Sequence, residues 1–136
     1  MTKKHYFPYK REPSKIFGEI SRPVVEVYLE TRDGDWFQVS PYADSGADVT
    51  LFPRSICEIL DLKLKEGEKS SITGVSGEEI KIFIHQVKIR IGDEKLEIPA
   101  AFAEREDIPY LLGRAGILDY FDIWFEKDRV CFIVRN

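Results

Sequence analysis

The stretch that decides the fold is YADSGADVTLFP, Tyr42–Pro53. An extended, partly apolar approach ends at Asp44, Ser45 and Gly46, and a second apolar run follows over Val49–Phe52. A carboxylate at a strand end can accept backbone N–H bonds and stay fixed, and the glycine beside it lets the backbone come close. Taken alone, the triplet is more typical of a turn or a helix cap, so the surrounding sequence must decide.

Upstream of this stretch, the sequence predicts a β-hairpin. Residues 24–31, VVEVYLET, alternate as a strand does, and RDGD at 32–35 carries the Asp-Gly pair of a tight turn. Residues 36–43 return as a second strand. Pro41 favours an edge or a bulge there, because proline lacks the N–H that a central strand needs.

Downstream, the sequence predicts a short helix. Pro53 suits the first helical position, and RSICEIL at 54–60 gives about two turns. The apolar residues expected on one side of this helix are Ile56, Ile59 and Leu60.

The segment 70–84, SSITGVSGEEIKIFI, predicts a second hairpin, whose tip Thr73–Gly77 consists almost entirely of small residues. On the return strand the apolar residues are even-numbered up to Ile84 and odd-numbered from Val87 onward. Because alternate side chains of a strand point to alternate faces, this change of parity predicts a bulge at His85-Gln86.

The remaining chain adds short strands and a further short helix. Residues 91–102 are predicted to form a hairpin with a Gly-Asp turn. Residues 110–121 are predicted to form a short buried strand, followed by a glycine and a short helix. Residues 122–134 are predicted to form two strands on either side of a turn at Glu126–Arg129. We therefore expect a mostly-β domain, a small closed or nearly closed barrel with one or two short helices.

Composition and charge exclude several functional classes. The 136 residues suffice for one domain, and the net charge of −4 does not favour a nucleic-acid partner. No stretch approaches the roughly 20 apolar residues of a membrane span, and the basic start lacks an apolar signal core, so no membrane and a cytoplasmic location are expected. Residues 1–22 hold six Lys or Arg against two Glu, which predicts a solvated basic arm over 1–21 before a domain at 22–136.

The few histidines and cysteines do not suggest a metal site. Histidine occurs only at positions 5 and 85, and no spacing matches a metal motif, so neither a metal nor another cofactor is expected. Cys57 and Cys131 each lie in an apolar run and are interpreted as small core residues.

Asp44 would acquire a chemical role if a second carboxylate lay a few ångströms away. Two such groups cannot both ionise, so they share one proton. One carboxylate then acts as a general base for a water held between them, and the other as a general acid. Such a pair needs neither a metal nor a nucleophilic side chain.

At these residues the sequence resembles the retropepsin-like aspartic proteases, the single-domain relatives of the pepsins, over roughly Arg22–Val134. The run DSGA at 44–47 is similar to the family's Asp-Thr/Ser-Gly-Ala motif. ITGVSG at 72–77 resembles the glycine-rich flap tip, and YLLGR at 110–114 resembles the second motif of two large aliphatic residues and Gly-Arg. Each match alone is weak, but the order and the spacing of the three are also similar.

The resemblance implies a role for each matching position. It implies a catalytic Asp44, loop support from Ser45, Gly46, Ala47, Asp48 and Arg114, a substrate-binding flap of Thr73, Gly74, Val75, Ser76 and Gly77, and a second motif of Leu111, Leu112 and Gly113. In the family, the residues matched by Asp48 and Arg114 form a pair that ties down the active-site loop near the dimer contact. Ser45 matches the residue that cross-bonds the two loops, and the N–H of Val75 matches one that reaches substrate through water.

Two functions remain open. The resemblance implies an endopeptidase that acts on extended peptide segments, and the intact Asp44 triplet favours it. The alternative is a catalytically silent domain of the same fold, used for peptide binding or assembly. Two departures from the family favour this alternative: Ala115, where Asp or Asn is usual, and Ser40-Pro41-Tyr42, where an apolar run is usual.

A homodimer is expected because the chain holds only half of a paired site. Only one Asp-Ser/Thr-Gly triplet occurs in the sequence, so a two-fold axis must supply the second carboxylate. By analogy with the family, the terminal run VCFIV at 130–134 is the expected interface strand.

Overall fold

The fold is mostly β in the computed structural model, which describes residues 2–135. Strands account for 54% of the structure and helices for 10%, which confirms the predicted fold class. The strands are β1 (Thr2–Pro8), β2 (Lys10–Ser14), β3 (Gly18–Arg22), β4 (Val27–Glu30), β5 (Trp36–Val39), β6 (Tyr42–Ala43), β7 (Thr50–Phe52), β8 (Glu68–Thr73), β9 (Glu79–Ile91), β10 (Glu94–Ala103), β11 (Leu111–Leu112), β12 (Asp122–Phe125) and β13 (Arg129–Arg135). The helical elements are α1 (Arg54–Ile59) and two single turns, Leu64–Glu66 and Arg114–Leu118.

One curled sheet of eight strands builds the body of the molecule. Its strands follow the order β5-β4-β9-β10-β7-β11-β6, and β8 is added to β9. A bridge between Val24 and Tyr42 links the segment before β4 to β6, so the sheet curls back on itself as a half-barrel. Because β6 and β11 are parallel, Asp44 and Gly113 follow strands that end side by side.

The long strand β9 runs without a bulge, so the bulge predicted at His85-Gln86 is wrong. Its pairing with β10 keeps one unbroken register from Ile82 to Ile91. The apolar residues change face because each side of the sheet carries its own hydrophobic cluster. Ile80 and Ile82 belong to a small cluster on one face, whereas Val87, Ile89 and Ile91 belong to the main core on the other.

Residues 2–8 form a strand that pairs with β13, although most of their side chains are exposed. β1 pairs along its whole length with β13, and the ring of Phe7 packs edge-on against Phe132 with 5.5 Å between centroids. β2 and β3 form a separate hairpin with Ile16 and Phe17 exposed at its tip. Residues 2–8 are thus a paired strand, and the division into a basic arm at 1–21 and a domain at 22–136 stays a prediction.

The helical elements are short, and none within residues 2–135 is long and apolar enough to cross a membrane. α1 follows Pro53, whose extended backbone precedes the helix as its N-cap. The helix buries Ile56 and Cys57, and Leu60 behind it is buried as well. Ile59, predicted on the buried side, is 43% exposed, because Cys57 takes the inner position instead.

Candidate active site

The loop that begins at Asp44 is fixed by its own backbone and by the neighbouring strand. The backbone N–H of Asp44 donates to the carbonyl oxygen of Leu112 at 3.0 Å. The side-chain carboxylate of Asp44 accepts the N–H of Gly46 at 2.9 Å. The backbone carbonyl oxygen of Asp44 accepts the N–H of Ala47 at 3.2 Å. A short polar side chain that bonds two residues ahead closes a tight turn, which holds the carboxylate at the strand end.

The second motif packs directly against this loop. The N–H groups of Arg114 and Ala115 donate to the carbonyl oxygens of Ala47 and Asp48 at 2.9 and 3.0 Å. Gly113 is needed at the contact, because a methyl group built on it would lie 2.4 Å from the Val49 carbonyl carbon. Two segments that are some 65 residues apart in sequence therefore form one unit.

Thr50 is a supporting residue that the sequence reasoning missed. Its side chain is fully buried, and its hydroxyl oxygen accepts the N–H of Gly113 at 3.1 Å. A threonine inside the apolar run VTLF is a usable signal, because a buried hydroxyl requires a hydrogen-bond partner.

The ion pair that the resemblance implied between Asp48 and Arg114 is not formed among the described residues. The Arg114 guanidinium instead donates to the carbonyl oxygen of Ser45 at 3.4 Å and lies 4.0 Å from the Asp119 carboxylate. Asp48 contacts the second motif through its backbone, which accepts the N–H of Ala115. Arg114 thus contacts the loop that begins at Asp44 through the Ser45 carbonyl oxygen and not through the Asp48 carboxylate.

The predicted hairpin tip projects beyond the paired strands β8 and β9. The last pair of that ladder is Thr73 with Glu79, and inside it the N–H of Gly74 donates to the Glu78 carbonyl oxygen at 2.8 Å. Gly77 has φ of +83°, a left-handed conformation that favours glycine. Val75 is fully exposed at the apex. The tip therefore has few contacts outside its own turn.

A groove of about 760 Å³ joins the Asp44 loop to the hairpin tip. Asp44 and Asp48 lie on one side, and Thr73 to Val75 line another. Its apolar lining includes Ala47, Val49, Leu51, Ile72, Ile80, Ile108, Pro109 and Leu111. Arg105 and Asp107 also line the groove; the sequence reasoning did not find them, because charged loop residues follow no periodic pattern.

The two departures from the family pattern, Ser40-Pro41-Tyr42 and Ala115, each make hydrogen bonds with neighbouring segments. The Tyr42 hydroxyl donates to the Glu12 carboxylate at 2.8 Å, and this bond, with burial, raises the pKa of Tyr42. Glu12 also pairs with Arg22 at 3.1 Å, so the hairpin of β2 and β3 is anchored to the strand that leads to Asp44. At Ala115 the backbone N–H alone makes the contact with the loop.

One group of possible metal ligands occurs within residues 2–135. Donor atoms of His5, Asp93 and Glu94 lie within 4.8 Å of one another. The Lys3 ammonium lies 3.7 Å from both carboxylates, and His5 Nε2 lies 3.2 Å from Asp93. A cation of the protein thus already lies beside both carboxylates, and the group joins β1 to the turn between β9 and β10.

Known proteins resemble this chain in three-dimensional structure, whereas searches by sequence find no match. No protein-family model matches the chain, and no curated protein matches it in sequence. A retropepsin-like aspartic protease from Rickettsia conorii superposes with a TM-score of 0.67 at 15% identity, covering 97% of this chain and 98% of that one. The EIAV protease, solved in complex with an inhibitor, superposes with a TM-score of 0.52 at 26% identity, covering 68% of this chain and 82% of that one. The chain therefore has the retropepsin-like fold.

Proposed function

We propose that this protein is an aspartic endopeptidase that cleaves extended peptides as a symmetric homodimer. The observation that carries the proposal is the position of Asp44. Its carboxylate is held in a hydrogen-bonded turn and lines the same groove as the hairpin tip Thr73–Gly77. The groove is concave, mostly apolar and open at the surface, as a peptide-binding cleft requires.

The proposed chemistry needs two copies of Asp44. In the dimer, the two carboxylates share one proton because like charges at close range cannot both ionise. The ionised member removes a proton from a water molecule as it attacks the peptide carbonyl carbon, and the protonated member donates to the carbonyl oxygen. The hairpin tip acts as a flap that closes over the substrate and excludes bulk water.

The interface that we propose is the free edge of β12, which replaces the strand expected from the sequence. The run VCFIV lies in β13, and β13 already has β1 on one side and β12 on the other. Both of its edges are occupied, so it cannot pair with a second copy through its main chain. Within residues 2–135, β12 pairs with β13 alone, and its Trp124 and Phe125 are about half exposed.

The hydrogen-bond pattern indicates which groups of β12 are free. Glu126 donates to Arg129 at 2.9 Å, which makes these residues a hydrogen-bonded pair of the β12–β13 hairpin. Along an antiparallel ladder, hydrogen-bonded pairs alternate with pairs that are not hydrogen-bonded to each other. Counting back from Glu126, Ile123 and Phe125 belong to the second kind, so their N–H and C=O groups point away from β13. Antiparallel pairing of two copies centred on Trp124 would join these groups in four hydrogen bonds.

Digestion of a peptide library, with and without pepstatin, tests the enzymatic proposal. The wild type should cleave and pepstatin should block cleavage, whereas Asp44→Asn should be inactive at the same dimer content, because it removes the base and the shared proton but little volume. If the wild type binds peptides without cleaving any of them, the silent binding domain is the correct alternative. Cleavage by Asp44→Asn would refute the role of Asp44.

A further inference from the structure

A charged cluster beside the flap has no role in the proposed chemistry. The Arg105 guanidinium donates to both oxygens of the Asp107 carboxylate at 2.6 and 2.5 Å, and to the Glu78 carboxylate at 3.0 Å. All three residues line the groove that contains Asp44. Glu78 directly follows the flap Thr73–Gly77 and precedes β9, whereas Arg105 and Asp107 belong to the loop that follows β10.

The cluster lies where the two strands separate. β9 and β10 are paired as far as Ile82 and Ala103, and one more backbone bond runs from the Glu104 N–H to the Lys81 carbonyl oxygen at 3.2 Å. Beyond this bond, no further backbone hydrogen bond among the described residues joins the flap to the β10 side. The same register, continued, would place the Glu78 and Asp107 carboxylates opposite each other, where like charges repel. Arg105 lies between them and converts this repulsion into attraction.

Glu78 is itself part of the flap turn. Its carbonyl oxygen accepts the Gly74 N–H, and its side chain lies over Gly74, with Cγ 3.2 Å from where a methyl group would stand. The carboxylate therefore leaves the turn in the direction of Arg105. A displacement of the flap tip that carries Glu78 with it must break the contact with Arg105.

We propose that Arg105 is a positioning residue that clasps the flap in its closed position over the groove; this inference rests on the proposed peptidase function. The side chains of Arg105, Glu78 and Asp107 are 39%, 50% and 68% exposed, so solvent screens each pair and the clasp is weak. A weak clasp suits a flap that must open at every turnover and yet has few other contacts.

Asp107 supports the clasp over a wide pH range. Hydrogen bonding to Arg105 lowers the pKa of the Asp107 carboxyl to about 2. The carboxylate therefore keeps its charge in mildly acidic solution, and its contact with Arg105 persists there.

The test compares Arg105→Gln with the control Arg11→Gln. Arg11 forms an ion pair of similar exposure with Glu19 at 2.7 Å, but on the N-terminal hairpin. Hydrogen–deuterium exchange reports on the Gly74 and Gly77 amides, and steady-state kinetics on a cleaved peptide give KM and kcat separately. When the closed state is less populated, the apparent affinity falls by the same factor. We therefore expect Arg105→Gln to raise both the flap exchange rate and KM about two- to fivefold, with kcat nearly unchanged.

Two further results would support the clasp. Arg105→Lys should give intermediate values, because an ammonium group can hold one carboxylate but not two in bidentate geometry. KM of the wild type should rise with ionic strength, whereas KM of Arg105→Gln should be less sensitive to salt.

The clasp is refuted if Arg105→Gln and Arg11→Gln show the same flap exchange. Its positioning role is refuted if exchange rises while KM stays constant, or if kcat falls in place of a rise in KM. The exchange measurement needs no catalysis, so it stands even if the wild type cleaves no peptide. That last outcome would refute the proposed function and not the clasp.

Discussion

Replacement of Gly113 by alanine tests whether the Asp44 loop and the second motif form one rigid unit. The backbone of Gly113 is extended, with φ of −103°, so alanine is not disfavoured by its dihedral angles. The added methyl group would nevertheless lie 2.4 Å from the Val49 carbonyl carbon and 2.8 Å from the Thr50 nitrogen. Both are main-chain atoms and cannot rotate away, so the loop and the second motif must separate by about 1 Å to reach ordinary van der Waals contact.

The expected cost follows from that separation. Overpacking of a tight core contact costs typically 1–3 kcal/mol, and a backbone contact should fall at the upper end, at about 3 kcal/mol. The bonds from Arg114 to Ala47 and from Ala115 to Asp48, now 2.9 and 3.0 Å, would lengthen together. A shift of about 1 Å at a catalytic group can reduce the rate by about a hundredfold, so kcat/KM should fall by that order.

Urea unfolding and peptide cleavage measure the two effects. Gly74→Ala is the control for stability, because its methyl group would meet only the flexible Glu78 side chain, at 3.2 Å, and should change the free energy of unfolding by less than about 1 kcal/mol. If Gly113→Ala is as stable as this control, the segments separate easily and the reasoning fails.

Three other predictions follow from the same structure. Phe125→Pro should yield folded monomer without activity, because it removes one outward N–H of β12, whereas Phe125→Ala keeps that N–H and should stay dimeric; equal sedimentation of the two variants would exclude the β12 edge. The kcat/KM of the wild type should be bell-shaped in pH, because activity needs the singly protonated pair of carboxylates, and a single sigmoid would contradict a shared proton. Burial raises the pKa of Cys57 to about 11 and also raises that of Cys131, so at pH 8 both thiols stay protonated; mass spectrometry should find iodoacetamide on them only after denaturation.

The meeting of the Asp44 loop with the second motif was predictable from sequence, because both segments carry local signals. Each has a glycine next to a short apolar run, and glycine there indicates a close backbone approach. The family resemblance supplied the pairing, and β6 and β11 do lie side by side. The acceptors of Arg114 were not predictable in the same way, because side-chain contacts depend on the final packing and not on residue type alone.

The continuous course of β9 could not be predicted from one strand. Alternation of apolar residues indicates which face is buried, but it assumes a single core. Here Ile82 and Val87 face opposite clusters on the two sides of one sheet, so the pattern changes while the backbone does not. The same limit applies to β1, whose partner β13 lies at the other end of the chain, where no local pattern can indicate it.

A single two-fold axis must satisfy two demands in the proposed dimer, since it has to bring two Asp44 loops together and pair two β12 strands. Both demands concern one face of the molecule, because Ser45 and Arg114 line the same surface cleft as Trp124 and Phe125. An axis that passes beside Trp124 therefore also passes near the active-site loop. In the described part of the chain, neither β1, the other edge of the same sheet, nor β5, an edge of the eight-stranded sheet, contributes a residue to this cleft. Pairing at either of those edges would not be centred beside the Asp44 loop. The free edge of β12 and the carboxylate that needs a partner thus favour the same axis. This agreement is a second reason to propose β12, beside the occupied edges of the terminal strand β13.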